Sequence, residues 1–224
     1  MVDKLHVNVD ITSDVVCPWC WVGKRHLDSA IETLSGEFEF HVHWKPFLLN
    51  PGMPDEGEPL EQHLRKKYGD AAIQRFLSSD SPLKQAGRAV GISFSPNRMV
   101  VPTKKAHILL AHAANEGKQH QLHENFFKAY FADGLNIVDE GVLRGLVEKT
   151  GMNGEKAMAA LTNPELVSTY EEEVREAVRK GITGVPHFVI YLRDRPGMKQ
   201  ALSGAQPIET FIALFKRLRL MPKV

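Results

Sequence analysis

Three observations predict an α/β fold in which one sheet-bearing core is interrupted by a large all-helical insertion. Segments that alternate and are rich in β-branched residues cluster towards the two ends of the 224-residue chain. The stretch from about Pro59 to Lys180 reads as one helix after another. A closing amphipathic helix follows the last strands, giving the order β-α-β, helical block, β-β-α.

The first strand is His6-Val-Asn-Val-Asp-Ile-Thr12, an alternating run. Cys17-Pro18-Trp19-Cys20 follows and contains the only two cysteines of the chain; Trp21 to Leu34 then reads as a helix. Glu37-Phe-Glu-Phe-His-Val-His-Trp44 alternates strictly, with Phe38, Phe40, Val42 and Trp44 on one face and Glu37, Glu39, His41 and His43 on the other. Lys45 to Leu49 extends this second strand, and Asn50 to Gly57 is a turn-rich loop.

In the helical block, Pro59 to Ser79 carries Leu60, Leu64, Tyr68, Ala72, Phe76 and Leu77 on roughly one face, with Gly69 breaking it in two. Pro82 to Val90 stops at Gly91, and Ile92 to Asn97 is a loop. Thr103 is expected to cap a helix reaching Glu116, ended by Gly117. Further helices are expected at about 119–132, 139–150, 155–161 and 164–180, with Asp139 and Asn153 as N-caps and Gly151 and Gly181 as stops.

Gly184-Val185-Pro186 leads into a strand, His187 to Leu192, then a turn over 193–197, a short strand Gln200 to Ser203 and a helix from Pro207 to Leu220. Without the helical block, the two flanking parts complete a thioredoxin-like fold. The domain reading is therefore a core of residues 1–57 and 181–224 with residues 58–180 inserted.

A formal charge of +1 gives no basis for a nucleic acid or anionic membrane partner. No apolar run approaches the ~20 residues of a membrane span. The chain enters its first strand at once from Met1, which leaves no room for a leader, and it has no spare cysteine for a structural disulfide. A cytoplasmic location is expected.

Two features point to thiol redox chemistry. A strand that delivers two thiols to a helix start suits dithiol–disulfide exchange, because the N–H groups and dipole of a helix N-terminus favour thiolate over thiol. Pro18 presets φ at an early helical position, and Trp19 offers a flat apolar surface to shield the sulfurs or meet a partner. The second feature is Val185-Pro186, just before the third strand. Proline is the residue for which a cis peptide costs least, and it carries no N–H to clash with an incoming sulfur. The Val185 backbone would then be free to pair with an extended substrate.

The alternatives are plainer. A CxxC pair is half of a zinc site, and His120-x-x-His123 would lie on one helical face as a second half, but it belongs to a different helix of the inserted block, so no metal is expected. His187 is either a group that tunes the thiols or a strand residue facing solvent. Asp14 reads first as a strand-end cap, with a proton-relay carboxylate as the other reading. Phe126, Phe127, Tyr130 and Phe131 read as packing, with a groove above the dithiol as the second use for some of them.

The segments Ser13-Asp-Val-Val-Cys-Pro-Trp-Cys-Trp-Val-Gly23, Trp44-Lys-Pro-Phe-Leu-Leu-Asn-Pro51, Gly184-Val-Pro186 and Ser203-Gly-Ala-Gln-Pro207 together resemble the DsbA-like thioredoxin superfamily, in particular its cytosolic FrnE-like branch. Gly117-Lys-Gln-His120 and Ala129-Tyr-Phe131 add to the resemblance, which spans nearly the whole chain. It implies disulfide oxidoreductase or isomerase activity, with Cys17 as attacking thiol, Cys20 as resolving thiol and Pro186 as a cis-proline. No cofactor is required, and the implied partners are protein or small-molecule thiols and disulfides, with a monomer or homodimer as the assembly. Two departures from the branch are His187, where an apolar or aromatic residue is common, and Pro102-Thr103, where Asn-Thr is frequent. Kappa-class glutathione transferases and 2-hydroxychromene-2-carboxylate isomerases share the architecture but usually carry serine at the position of Cys17. They supply the alternative function, a glutathione-dependent transferase or isomerase. Glutathione stays open as a co-substrate near Val185, Ser203 and Gly204.

Overall fold

The computed structural model describes residues 4–221, without the side chains of Ala72 and Leu77; the predicted boundaries at residues 1–3 and 222–224 lie outside it. Strand β1 (Leu5–Ser13) feeds helix α1 (Pro18–Leu34), and β2 (Phe38–Pro46) returns parallel to β1. At the other end of the chain, β5 (His187–Leu192) pairs antiparallel with β1, and β6 (Gln200–Ser203) pairs antiparallel with β5. The sheet order is β2-β1-β5-β6. The central position of β1 explains its composition: Val7, Val9 and Ile11 are fully buried.

Helix α10 (Ile208–Leu220) closes the core. Phe215 meets Phe38 and Phe40 of β2, and Phe211 sets its ring edge-on against Phe188 of β5, 5.0 Å between centroids. Burying each of these rings contributes roughly 1.5–3 kcal/mol, which ties the β-β-α half to the β-α-β half.

Between β2 and β5 lie α2 (Leu60–Tyr68), α3 (Asp70–Leu77), α4 (Pro82–Ala89), α5 (Lys104–Ala114), α6 (Gln119–Phe127), α7 (Glu140–Glu148), α8 (Gly154–Ala160) and α9 (Pro164–Arg179). Their caps follow chemistry legible in the sequence. Asp139 accepts from the Val142 N–H and Asn153 from the Lys156 N–H. Thr103 differs: it occupies the N-cap position of α5 without a side-chain hydrogen bond, and its side chain is buried instead. Two features have no counterpart in the sequence reading. Strand β3 (Glu58–Pro59) pairs with β4 (Met99–Val100), and α6 continues as a single π-helical turn, Lys128–Ala132.

The insertion docks on α1 through an apolar and a polar contact. Trp21 packs against both Phe127 and Phe131, with ring centroids 6.2 and 6.0 Å away. Beside it the buried Lys24 ammonium lies 2.6 Å from Asp28 and 3.1 Å from Glu124 of α6. Asp28 reaches His120 at 2.8 Å, and His120 accepts from the Trp44 indole at 3.0 Å. A charged lysine in this position is tolerable because two carboxylates face its ammonium.

Candidate active site

Alternation ends β1 at Ser13, and the chain turns at once into α1. The Cys17 N–H donates to the Asp14 carbonyl at 3.0 Å, and the Cys20 N–H donates to the Cys17 carbonyl at 3.1 Å. Cys17 takes the N-cap position with extended backbone and Pro18 is the first helical residue, so α1 begins three residues before the predicted Trp21. The first N–H groups of a helix lack intrahelical acceptors, and the dithiol sits at that end. Cys17 is 4% exposed and Cys20 fully buried, both as free thiols.

The Cys17 thiol donates to the Val185 carbonyl oxygen across 3.5 Å. The Val185–Pro186 peptide is cis. Pro186 is buried against α1 at Gly23: a Cβ there would lie 3.2 Å from Pro186 Cγ and 3.3 Å from the Phe188 ring. Glycine therefore lets the helix that carries the cysteines approach the proline closely.

Burial pushes the Cys20 thiol well above its ordinary value, and the adjoining Cys17 sulfur adds to this through hydrogen bonding and charge. The Ser13 hydroxyl and the Asp14 backbone act in the opposite direction. Ser13 Oγ is itself buried, with no other hydrogen-bond partner. Asp14, 1% exposed, accepts from the Leu49 N–H at 2.8 Å and lies 3.4 Å from Nε2 of buried His107. Its carboxylate thus pins the loop after β2 against the end of β1, which is the capping role.

A groove of about 320 Å³ opens beside the dithiol. Cys17, Pro18, Trp19 and Val185 form its core wall, and Tyr68, Phe76, Phe94, Arg98 and Tyr130 are among the insertion residues facing them. Trp19, Tyr68 and Phe76 are exposed on its rim. Of the aromatic set in the helical block, Tyr130 reaches the groove, while Phe126, Phe127 and Phe131 are buried packing. The remaining candidates gather elsewhere. His187 Nδ1 lies 3.0 Å from the Ser203 hydroxyl, and the Gly204 N–H donates to the Pro186 carbonyl at 2.8 Å, so these three residues adjoin the proline without lining the groove. Partial burial lowers the His187 pKa.

The sequence reading missed Arg98. The available signal was charge: Ser81 to Asn115 contains no Asp or Glu but carries Lys84, Arg88, Arg98, Lys104 and Lys105. Away from the dithiol, at the opposite end of β1, His6, Glu39 and His41 bring three metal-ligating atoms together, with the ring nitrogens 3.1 Å apart and the carboxylate 3.5 and 3.4 Å from them.

Comparison with known proteins agrees with this architecture. The family model described as a DSBA-like thioredoxin domain matches residues 8–216. The uncharacterized protein YwbO of Bacillus subtilis is 30% identical over 190 residues, covering 82% of this chain and 86% of its own. A probable DsbA oxidoreductase from Streptomyces coelicolor is 30% identical, with a TM-score of 0.84 over 98% of this chain and 92% of its own. The cytosolic disulfide reductase DsbM from Pseudomonas aeruginosa shares the fold at 20% identity, with a TM-score of 0.63 over 96% of this chain and 100% of its own. With its dithiol at a helix start and its helices set between the two halves of a four-stranded sheet, the chain belongs to the DSBA-like thioredoxin domain family.

Proposed function

We propose that this protein is a thiol–disulfide oxidoreductase acting on disulfides of protein substrates, with Cys17 as nucleophile and Cys20 as resolving thiol. The observation that carries the reading is the pair of free cysteines at the start of α1, of which Cys17 lines a groove beside Val185 and the cis Val185–Pro186 peptide. In the reducing direction the Cys17 thiolate attacks one sulfur of a substrate disulfide, forming a Cys17–substrate bond and releasing the other sulfur as thiolate. The Cys20 sulfur, after losing its proton, attacks Cys17 Sγ and releases the second substrate thiolate. The protein becomes a Cys17–Cys20 disulfide, oxidised by two electrons, and the substrate gains those electrons and two protons. The reverse sequence, from the Cys17–Cys20 disulfide, oxidises a substrate dithiol, and the reduction potential sets the direction; in isomerisation a second substrate thiolate displaces Cys17 from the mixed disulfide with no net change of oxidation state.

In this reading Pro18 and Trp19 shape the mouth of the site and Pro186 holds the facing wall. Val185 aligns an extended substrate as an added strand would. No metal or cofactor takes part. The domain division stays as residues 1–57 and 181–224 around an inserted 58–180, the assembly is a monomer or homodimer, and the location is cytoplasmic. No helix among the described residues is long and apolar enough to cross a membrane.

A second reading, a glutathione-dependent transferase or isomerase, rests on His187, Ser203 and Gly204 beside Pro186 and on fold neighbours that include DsbM solved with GSH and a 2-hydroxychromene-2-carboxylate isomerase. Insulin reduction separates the two. Wild type should turn over, and Cys20→Ser should stall as a mixed disulfide. A Cys20→Ser protein as fast as wild type would favour the glutathione reading.

A further inference from the structure

We propose that Arg98 is a receptor for an acidic side chain near the reactive cysteine of a peptide substrate, so that this protein selects disulfides in acidic, apolar sequence contexts. This rests on the thiol–disulfide reading above and adds its substrate class.

Arg98 lines the same groove as Cys17. It is half-buried, and burial lowers its pKa; the Tyr130 hydroxyl is the group that acts against this, and no carboxylate does. One N–H donates to the Ser95 carbonyl, while Nε is buried without a partner. The guanidinium plane is held over two rings, 5.1 Å from the Phe131 centroid and 5.8 Å from that of Tyr130. Aromatic faces fix an arginine without neutralising its charge. A desolvated guanidinium without an anion keeps unspent capacity for a charge-assisted hydrogen bond to a carboxylate.

The surroundings select the same ligand. The lining contains the cations of Lys67, Lys84 and Arg98 and no aspartate or glutamate. Trp19, Tyr68 and Phe76 add exposed aromatic surface on the rim. The groove runs from the sulfur of Cys17 and from Val185, which lies just outside the β-ladder that begins at His187. Apolar surface, open length and positive charge together fit an extended peptide with an acidic residue beside its cysteine. A basic peptide meets repulsion in the same groove, which discriminates against it.

The test uses pre-reduced full-length protein in single turnover, so its own dithiol is the reductant. Substrates are short peptides joined through one cysteine to 2-mercaptoethanol, with Glu, Gln or Lys at successive positions after the cysteine. Each rate is divided by that of the same peptide with dithiothreitol, which removes the intrinsic effect of the charge. At the position that reaches Arg98, Glu should exceed Gln by about tenfold, the range of a hydrogen bond to a charged group, and Lys should fall below Gln. Arg98→Met should bring the Glu/Gln ratio to near unity, and Arg98→Lys should keep part of it. Because the ratio is internal to each protein sample, a partly unstable variant still gives a readable result. Equal Glu and Gln rates in wild type at every position would overturn the assignment. So would an effect of Arg98→Met seen only with glutathione disulfide and not with peptides, because the site would then serve a small acidic thiol. Binding of peptides with serine in place of cysteine is measured alongside. If exchange is absent but Glu peptides bind about tenfold tighter than Gln peptides in an Arg98-dependent manner, the redox reading fails while the acidic-peptide site stands.

Discussion

The Cys17 sulfur and the Val185 carbonyl oxygen meet at 3.5 Å across 168 positions of sequence. The contact joins the start of α1 to the segment that precedes β5, so in the proposed function a substrate held along Val185 would present its sulfur to Cys17. The burial of Cys20 behind it leaves Cys17 as the sulfur that lines the groove.

That division of labour predicts unequal effects of the two cysteines. Cys17→Ala should abolish disulfide exchange. Cys20→Ser should keep the first attack but accumulate a covalent adduct on Cys17, visible by intact mass spectrometry and released by dithiothreitol. Adduct on Cys20 in a Cys17→Ala protein would reverse the assignment.

Cys20 also predicts a pH dependence. Its pKa is raised by burial, so the folded state keeps the proton after the unfolded chain has lost it. Its contribution is fully present below the unfolded cysteine value of about 8.5 and is lost as pH rises from there towards the folded value. Urea unfolding of the reduced protein should therefore show stability falling as pH rises above about 8.5, and Cys20→Ser should flatten that slope. The lifetime of the mixed disulfide in wild type should shorten over the same range, because resolution needs the Cys20 thiolate.

Lys24 predicts a cost in stability. It is buried between Asp28 and Glu124, and these carboxylates also engage His120, Arg25 and the Trp21 indole. Lys24→Met should destabilise by about 3 kcal/mol, the range for removing one partner of a buried pair. Burial raises the Asp28 pKa, but the His120 hydrogen bond and the Lys24 charge outweigh it, so the net shift is downward. The stabilisation is therefore present above the unfolded carboxylate value and is lost as pH falls through the folded one. Asp28→Asn should make the midpoint of urea unfolding less sensitive to acid.

Gly23 predicts a coupled loss. Its missing side chain faces Pro186, Phe188 and the Ala205 backbone at 3.2 to 3.4 Å. Gly23→Val should cost about 1–3 kcal/mol by overpacking. It should also slow exchange at Cys17 by pushing α1 away from Pro186, measured as the single-turnover rate on one fixed peptide disulfide.

Much of this was legible in the sequence because local rules govern it. Alternation located β1, β2 and β5, and Asp139 and Asn153 cap helices as their short polar side chains suggest. The dithiol and Val185-Pro186 are marked by residue type and order. What was not legible depends on tertiary packing. Thr103 has a capping residue's chemistry, yet burial directs its side chain elsewhere. The π-helical turn at Lys128–Ala132 carries no composition that distinguishes it from α-helix, although it bears Tyr130, whose hydroxyl donates to the Met99 carbonyl at 2.8 Å. Arg98, Tyr68 and Phe76 converge on the groove from separate segments of the insertion, and no spacing rule links them to Cys17. His187 was named because it follows Pro186, and Ser203 and Gly204 only through the resemblance to glutathione-using relatives; the structure brings the three together beside Pro186.

Equilibration of the purified protein in glutathione buffers of graded ratio, with thiol trapping and mass measurement, bears most directly on the central claim. A dithiol mechanism gives one reversible two-electron transition between a Cys17, Cys20 dithiol and an intramolecular disulfide. Its midpoint should fall between about −270 and −120 mV, the span from thioredoxin to DsbA. Two cysteines that stay reduced across the whole series, or that take up glutathione without ever joining each other, would contradict it.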